Sequence, residues 1–211
     1  MNAAKVKLLT DAVYAACDPL DGLKDGVISN VAGCDAAFGI AGVRTTLRCA
    51  GGGDTGDTCL SDAQIAGVET IASPYKPGVE IAGMTQFERW PILEGALFNV
   101  SSYGTVPQPA NPLSGKEALL YSVGAATTKY IITRDVNFDP MTLDPKTYET
   151  RIKEVGGIMD VSDIDLAPFI AKGGKLIMIH GTADDFITPH NSIVYWNKLV
   201  AGKGQSTVDG F

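Results

Sequence analysis

The sequence predicts an α/β protein joined to a loop-rich region that contains all of its cysteines. The first observation is a change of texture near Asp165, after which Lys172-Gly-Gly leads into the apolar run Leu176-Ile-Met-Ile. A short apolar run bounded by glycine is typical of a buried parallel strand. The second observation is that residues 35–60 are rich in glycine, aspartate and threonine, which is typical of loops. A single strand with the helix that follows it cannot form a sheet, so we expect most strands of the sheet to come from elsewhere.

Local signals predict three helices before that strand. Residues 3–16 are amphipathic, with one apolar face formed by Val6, Leu9, Val13 and Ala16. Ser61 and Gln64 form a capping-box pattern, which predicts a helix over residues 62–72. Residues 116–132 are also compatible with a helix.

The segment after the predicted strand holds the candidate catalytic acid. A helix is predicted to begin there, with Thr188 as its N-cap and Pro189 at its first position. Between strand and helix the chain reads His180-Gly-Thr-Ala-Asp184, and functional residues of open α/β sheets gather at the carboxyl ends of strands. Asp184 is therefore a candidate for the acid of a Ser-His-Asp triad, which orients the imidazole. The alternative is that Asp184 or Asp185 only caps a turn.

A second candidate site is the acidic turn at residues 17–30, which reads Cys-Asp-Pro-Leu-Asp-Gly-Leu-Lys-Asp-Gly-Val-Ile-Ser-Asn. Closely spaced oxygen ligands are what calcium requires, and glycine permits the positive-φ bends that turn them inward. It is not an EF-hand loop, because its third and twelfth positions, counted from Asp18, are Leu20 and Ser29. The alternative is an acidic surface turn. The predicted calcium ligands are the carboxylates of Asp18, Asp21 and Asp25 and the backbone carbonyls of Leu23 and Val27.

The four cysteines all lie in the first third of the chain, at Cys17, Cys34, Cys49 and Cys59. They allow three disulfide connectivities, of which the sequential one closes two short loops. A zinc site is disfavoured, since there is no Cys-x-x-Cys pair and both histidines lie far downstream. Disulfides indicate an oxidising compartment. Residues 1–30 show no signal-peptide hydrophobic stretch, so we expect the export signal to lie outside this sequence.

Composition excludes several classes of partner. The 211 residues are 45% hydrophobic, enough to bury a core, and carry a net charge of −7. Few basic clusters accompany that charge, which argues against nucleic acid and anionic membranes as partners. No apolar run approaches the roughly 20 residues of a membrane span.

Together, the acidic turn and the later Gly-Gly-Lys-Leu-Ile-x-x-His-Gly-x-x-Asp motif resemble the tannase and feruloyl esterase family, in their order and in their separation. The resemblance covers residues 3–211. It implies an α/β-hydrolase core with a large lid inserted between the nucleophile and the acid. Residues 1–16 would then be a helix leading from the core, residues 17–130 the lid, and residues 131–211 the C-terminal part of the core.

The resemblance also implies roles for individual residues. Asp184 matches the triad acid, and the five predicted calcium ligands match those of the family's lid. Arg89 and Trp90 resemble lid residues that face substrate, although packing is the alternative role for Trp90. The family's lid disulfides match the pairs Cys17–Cys34 and Cys49–Cys59.

Two of the family's catalytic motifs have no match in this sequence. The nucleophile motif Gly-x-Cys-Ser-x-Gly-Gly does not occur, and neither does the late His-Cys pair. The histidines present, His180 and His190, are not expected to act as the general base. We therefore expect a fragment of a secreted or periplasmic serine carboxylesterase for small aromatic-acid esters, inactive by itself. The alternative is a non-catalytic, calcium-stabilised extracellular binding domain.

Overall fold

A computed structural model describes residues 1–105 and 113–211, and its regular structure is helical. The predicted lid range 17–130 includes residues 106–112, which lie outside the described residues. None of the described helices is both long and apolar enough to cross a membrane. The helices are α1 (Ala3–Cys17), α2 (Val31–Ala37), α3 (Gly39–Thr46), α4 (Asp62–Ile71), α5 (Val100–Tyr103), α6 (Leu119–Ala126), α7 (Glu149–Met159), α8 (Ala167–Ala171), α9 (Pro189–Lys203) and α10 (Gln205–Val208).

The helices predicted from local signals are present. Helix α1 covers the predicted range and begins where the Asn2 side chain accepts a hydrogen bond from the Lys5 amide. Helix α4 has the predicted capping box, in which Ser61 and Gln64 each accept a hydrogen bond from the other's backbone. Helix α9 begins as predicted, with Thr188 as its N-cap. In the third predicted range, α6 is followed by a π-helical segment, Thr127–Ile132.

The main hydrophobic core lies in the N-terminal half of the chain. It is built by α1 to α4 together with the segment that precedes α5. This core belongs to the predicted lid and to the helix that leads into it, not to the predicted hydrolase core. Its buried members are Leu9, Val13, Cys17, Ile28, Cys34, Phe38, Val43, Leu47, Leu60, Ile65, Val68, Ile92, Leu93 and Phe98.

Two disulfides cross-link this core. Cys17 is bonded to Cys34, which ties the end of α1 to α2, and Cys49 is bonded to Cys59 across the glycine-rich loop. The sequential connectivity is thereby confirmed. Closing loops of this size restricts the unfolded chain and stabilises the fold by about 3 kcal/mol for each bond.

The predicted strand at 176–179 is not formed. The segment is irregular, and Ile177 and Ile179 are 85% and 89% exposed. A strand needs a neighbour to bond its backbone N–H and C=O groups, and no described segment pairs with this one. The described residues contain no sheet, only isolated bridges such as Tyr75 with Phe87. The α/β core predicted from this strand is therefore not seen. The apolar sequence is typical of a strand, but a strand also requires neighbouring strands, which a local pattern cannot reveal.

Candidate active site

Asp184 lies in the acid loop, defined here as residues 181–188, between the exposed apolar segment and α9. Its Oδ1 atom accepts hydrogen bonds from the backbone N–H groups of Ile187, at 2.8 Å, and Phe186, at 2.9 Å. The hydrogen bond from Ile187 contributes most to lowering the pKa of Asp184 below its usual value. The carboxylate is therefore ionised at neutral pH, with one oxygen held by the loop's own backbone.

His180 joins the acid loop to α9. Its Nε2 atom lies 3.0 Å from the carbonyl oxygen of Ile187, and its Nδ1 atom lies 2.8 Å from the hydroxyl of Ser192. A carbonyl can only accept, so Nε2 donates to Ile187, and in the neutral form of the ring Nδ1 then accepts from the Ser192 hydroxyl. Asp184 Oδ2 is 3.7 Å from Nε2, which is beyond hydrogen-bond distance.

Serine, histidine and aspartate therefore stand in the order of a hydrolytic triad, but the Nε2 proton is directed at a carbonyl and not at the acid. This cluster was not predicted from the sequence. The spacing of His180 and Asp184 was visible in the motif, whereas the approach of Ser192 depends on how α9 packs.

Among the described residues, four hydrogen bonds join the predicted lid to the acid loop, and one of them runs from the Thr188 hydroxyl to the backbone carbonyl of Arg89. The Tyr103 hydroxyl donates to the backbone carbonyl of Asp185 at 2.7 Å, and the Ser102 hydroxyl donates to the Asp185 carboxylate at 2.9 Å. The indole Nε1–H of Trp90 donates to the carbonyl of Phe186 at 3.2 Å. Burial is the main cause that raises the pKa of Tyr103, so its hydroxyl remains a donor at neutral pH.

The acidic turn is closed by its own carboxylates. Asp21 accepts from the backbone N–H of Leu23 at 3.0 Å and from that of Ser29 at 3.2 Å, and the bond from Leu23 is the main cause that lowers the pKa of Asp21. Asp18 accepts from the N–H of Gly26 at 3.1 Å across the turn. Two glycines occupy the left-handed region there, with φ of 95° at Gly22 and 79° at Gly26.

The turn has the donor chemistry of a calcium site, since the carboxylates of Asp21 and Asp25 are exposed, that of Asp18 is half-buried, and all three accept hydrogen bonds from backbone amides. In the described part of the chain, however, no three acidic, histidine or cysteine side chains come together closely enough to hold a metal ion. Calcium binding by Asp18, Asp21, Asp25 and the carbonyls of Leu23 and Val27 therefore stays a prediction.

A family model described as "Tannase and feruloyl esterase" matches residues 1–211. The chain belongs to the tannase and feruloyl esterase family. It is 30% identical to mono(2-hydroxyethyl) terephthalate hydrolase of Piscinibacter sakaiensis over 227 aligned positions, which cover 94% of this chain and 36% of that protein. It is 29% identical to feruloyl esterase C of Talaromyces stipitatus, over 94% of this chain and 33% of that protein.

The fold is also similar to that of solved esterases. Feruloyl esterase B of Aspergillus oryzae matches with a TM-score of 0.66 and 23% identity, over 95% of this chain and 36% of the other. A second esterase from Aspergillus oryzae matches with a TM-score of 0.70 and 20% identity, over 96% of this chain and 36% of the other. The chain thus spans about a third of the length of the relatives it matches.

In this family member, the two residues predicted to face substrate make internal contacts. Arg89 donates to Glu94 at 2.6 Å and to Asp35 at 3.1 Å. The other oxygen of Glu94, a side chain only 3% exposed, lies 2.9 Å from His190 Nε2. Trp90 donates to the acid loop, as described above. Substrate contact by Arg89 or Trp90 stays a prediction, because the structure shows only what their polar groups bind within the chain.

A cleft of about 700 Å³ opens beside the acid loop. It lies between α1 and the segment that leads into α5, and its lining is mainly apolar. The volume is within the range of small-molecule sites. Its lining includes Tyr14 of α1, Phe98 and Val100 of the predicted lid, and Ala183 and Asp185 of the acid loop.

Proposed function

We propose that this chain forms the lid and the acid-bearing part of a serine ester hydrolase that acts on esters of aromatic acids. The observation that carries the proposal is the Asp184 carboxylate, which is ionised, fixed through one oxygen by two backbone amides, and partly open to solvent, with a side chain 37% exposed. In such an enzyme the acid orients the histidine base and stabilises its charged form while serine attacks the ester carbonyl.

The serine and the base would come from parts of the complete enzyme other than these 211 residues. The family's nucleophile motif does not occur in this sequence, and His180 directs its Nε2 proton to the Ile187 carbonyl. The second oxygen of Asp184 accepts no backbone hydrogen bond from the acid loop, so it is the atom that would receive the N–H of the base.

The substrate class is inferred from two sources. The relatives named above are a feruloyl esterase and a hydrolase of a terephthalate monoester, and both names describe esters of aromatic carboxylic acids. The largely apolar cleft next to Asp185 is of suitable size for an aromatic ring. A small aromatic ester is therefore the proposed ligand of this face of the molecule.

We further propose that the acidic turn binds a structural calcium ion and that the protein works outside the cytosol. The turn's carboxylates are the hard oxygen donors that calcium prefers, and the ion would supply positive charge among Asp18, Asp21 and Asp25 and draw them together. The two disulfides support an oxidising compartment, such as the periplasm or the extracellular space.

The decisive experiment uses the complete protein that contains this chain. Asp184→Asn should lower kcat on methyl ferulate by roughly 10³- to 10⁴-fold, because the base loses its orientation. The matched control is Asp11→Asn, which changes an exposed aspartate paired with Lys7 on α1 and should leave kcat unchanged. Full activity in Asp184→Asn would remove Asp184 from the mechanism.

A binding domain without chemistry of its own is the second candidate. It is favoured by one observation, namely that the cross-linked core of α1 to α4 lies wholly in the predicted lid and the helix that leads into it. A complete protein that binds methyl ferulate but never turns it over would support this second candidate.

A further inference from the structure

We propose that Tyr103 and Trp90 are positioning residues for the triad acid, because each holds one of the two peptide groups whose N–H bonds orient Asp184. The inference rests on the proposed function for its catalytic meaning. Its geometry stands independently of that function, in the contacts between the lid and the acid loop.

The acid loop contains two consecutive peptide groups just after Asp184, one joining Asp185 to Phe186 and the next joining Phe186 to Ile187. The carbonyl of Asp185 and the N–H of Phe186 belong to one planar peptide group, and the carbonyl of Phe186 and the N–H of Ile187 belong to the next. Both N–H groups donate to Asp184 Oδ1. Because each group is planar, the direction of its carbonyl also determines the direction of its N–H.

The lid holds the carbonyl end of both groups. Tyr103 donates to the carbonyl of Asp185 at 2.7 Å, and Trp90 donates to the carbonyl of Phe186 at 3.2 Å. Each peptide group is thus bound at one end by the lid and at the other by the acid. Rotation of either group away from Asp184 would require a lid hydrogen bond to break. We call this arrangement of Tyr103, Trp90 and the two peptide groups the clamp.

The two donors are themselves attached to the lid core. The Tyr103 ring lies 4.9 Å from the ring of the buried Phe98, and both Tyr103 and Trp90 pack against the core cluster. The backbone N–H of Trp90 also donates to the carbonyl of Ile71 at the end of α4. The orientation of Asp184 is therefore coupled to the position of the lid.

Ser102 binds one of the two neighbouring carboxylates, that of Asp185, and not that of Asp184. Its hydroxyl, in a residue only 3% exposed, donates to the side chain of Asp185. With Asp185 held by the lid, the amides of Phe186 and Ile187 are left to Asp184 alone.

The test measures Asp184 directly in the 211-residue chain, by carboxyl NMR titration and by amide hydrogen exchange. Tyr103→Phe should speed exchange at the Phe186 amide by about 3- to 10-fold, the effect of losing one hydrogen bond, and Trp90→Phe should do the same at Ile187. In both variants the pKa of Asp184 should rise toward 3.8, since fewer well-directed N–H groups stabilise its charged form. Tyr75→Phe, at a tyrosine 57% exposed, is the control and should change neither quantity.

The outcomes separate this inference from the proposed function. An unchanged Asp184 pKa and unchanged exchange in both variants would overturn the clamp, whatever the complete protein does. Faster exchange spread over α1 to α4 would also overturn it, because that pattern means general loosening. If the clamp is present in the chain but Asp184→Asn leaves the complete protein fully active, then the proposed function fails and the clamp is only structural. If Tyr103→Phe does not fold, the Trp90→Phe result alone decides.

Discussion

The Tyr103 hydroxyl and the Asp184 carboxylate bind opposite ends of the same peptide group. Tyr103 is bonded to its carbonyl oxygen and Asp184 to its N–H, although the two residues are far apart in sequence. The geometry of the candidate acid is therefore shared between two parts of the chain, the lid and the acid loop.

Calcium should raise the melting temperature of the chain, because it would neutralise the clustered charge of the acidic turn and hold that turn closed. Asp21→Ala combined with Asp25→Ala should abolish the increase, measured by thermal denaturation with calcium and then with a chelator. Asp11→Ala, on the exposed face of α1, is the matched control and should retain the increase. A melting temperature that ignores both calcium and chelator would contradict the metal site.

Glu117 should contribute to stability in a defined acidic range. Its carboxylate accepts hydrogen bonds from the Ser114 backbone and hydroxyl and from the Gly115 backbone, and the Ser114 backbone bond contributes most to lowering its pKa to about 2, from 4.5. A lowered pKa stabilises the fold above pH 4.5, and this contribution is lost as the pH falls toward about 2. Glu117→Gln should flatten the melting temperature against pH across that range, whereas Glu80→Gln, at an exposed glutamate, should not. Identical profiles for Glu117→Gln and the parent chain would refute this contribution.

Glu94 should be among the most sensitive charged positions. It is 3% exposed and binds both Arg89 and His190, so Glu94→Ala leaves two cationic or polar groups without their buried partner. We expect a loss of about 3 kcal/mol in the free energy of unfolding, near the lower limit for a broken buried pair, because Arg89 retains Asp35. Urea denaturation at neutral pH measures it. The control is Glu69→Ala, which breaks the exposed pair with Arg44 and should lower the free energy of unfolding by at most about 1 kcal/mol. An equal loss of stability in the two variants would show that burial of Glu94 does not matter.

The purified 211-residue chain should not hydrolyse methyl ferulate, methyl gallate or a short p-nitrophenyl ester. The Ser192–His180–Asp184 cluster does not couple the base to the acid, since 3.7 Å separates Nε2 from Oδ2 while the Ile187 carbonyl lies closer, at 3.0 Å. Spectrophotometric assays with Ser192→Ala as the comparison measure this. Turnover that disappears in Ser192→Ala would identify Ser192 as a nucleophile and contradict this prediction.

The helices were predictable because their signals are local. The capping box of α4 and the Thr188 cap and proline that begin α9 act within about one turn of backbone, so a few residues of sequence determine them. The disulfide pairing was left open by the cysteine spacing and was implied only by the family resemblance; the structure then confirmed it.

The features that were missed depend on distant contacts. The strand at 176–179 has the right composition, yet strands form only when a neighbour bonds their backbone. The contacts of Tyr103 with Asp185 and of His190 with Glu94 join residues 82 and 96 positions apart. No periodicity or spacing encodes such approaches, so the acid was predictable as a residue type and the clamp around it was not.

The exposed run at 176–179 also affects how the isolated chain would behave at high concentration. Its isoleucines are almost fully solvated, it contains neither proline nor charge, and its backbone lies open to another strand. Such a segment is a template for intermolecular β-pairing and hence for aggregation. Lys175 on one side and the glycine-rich sequence before it are the features nearby that oppose stacking. The solubility of this chain therefore depends on what covers residues 176–179, a few positions before the candidate acid.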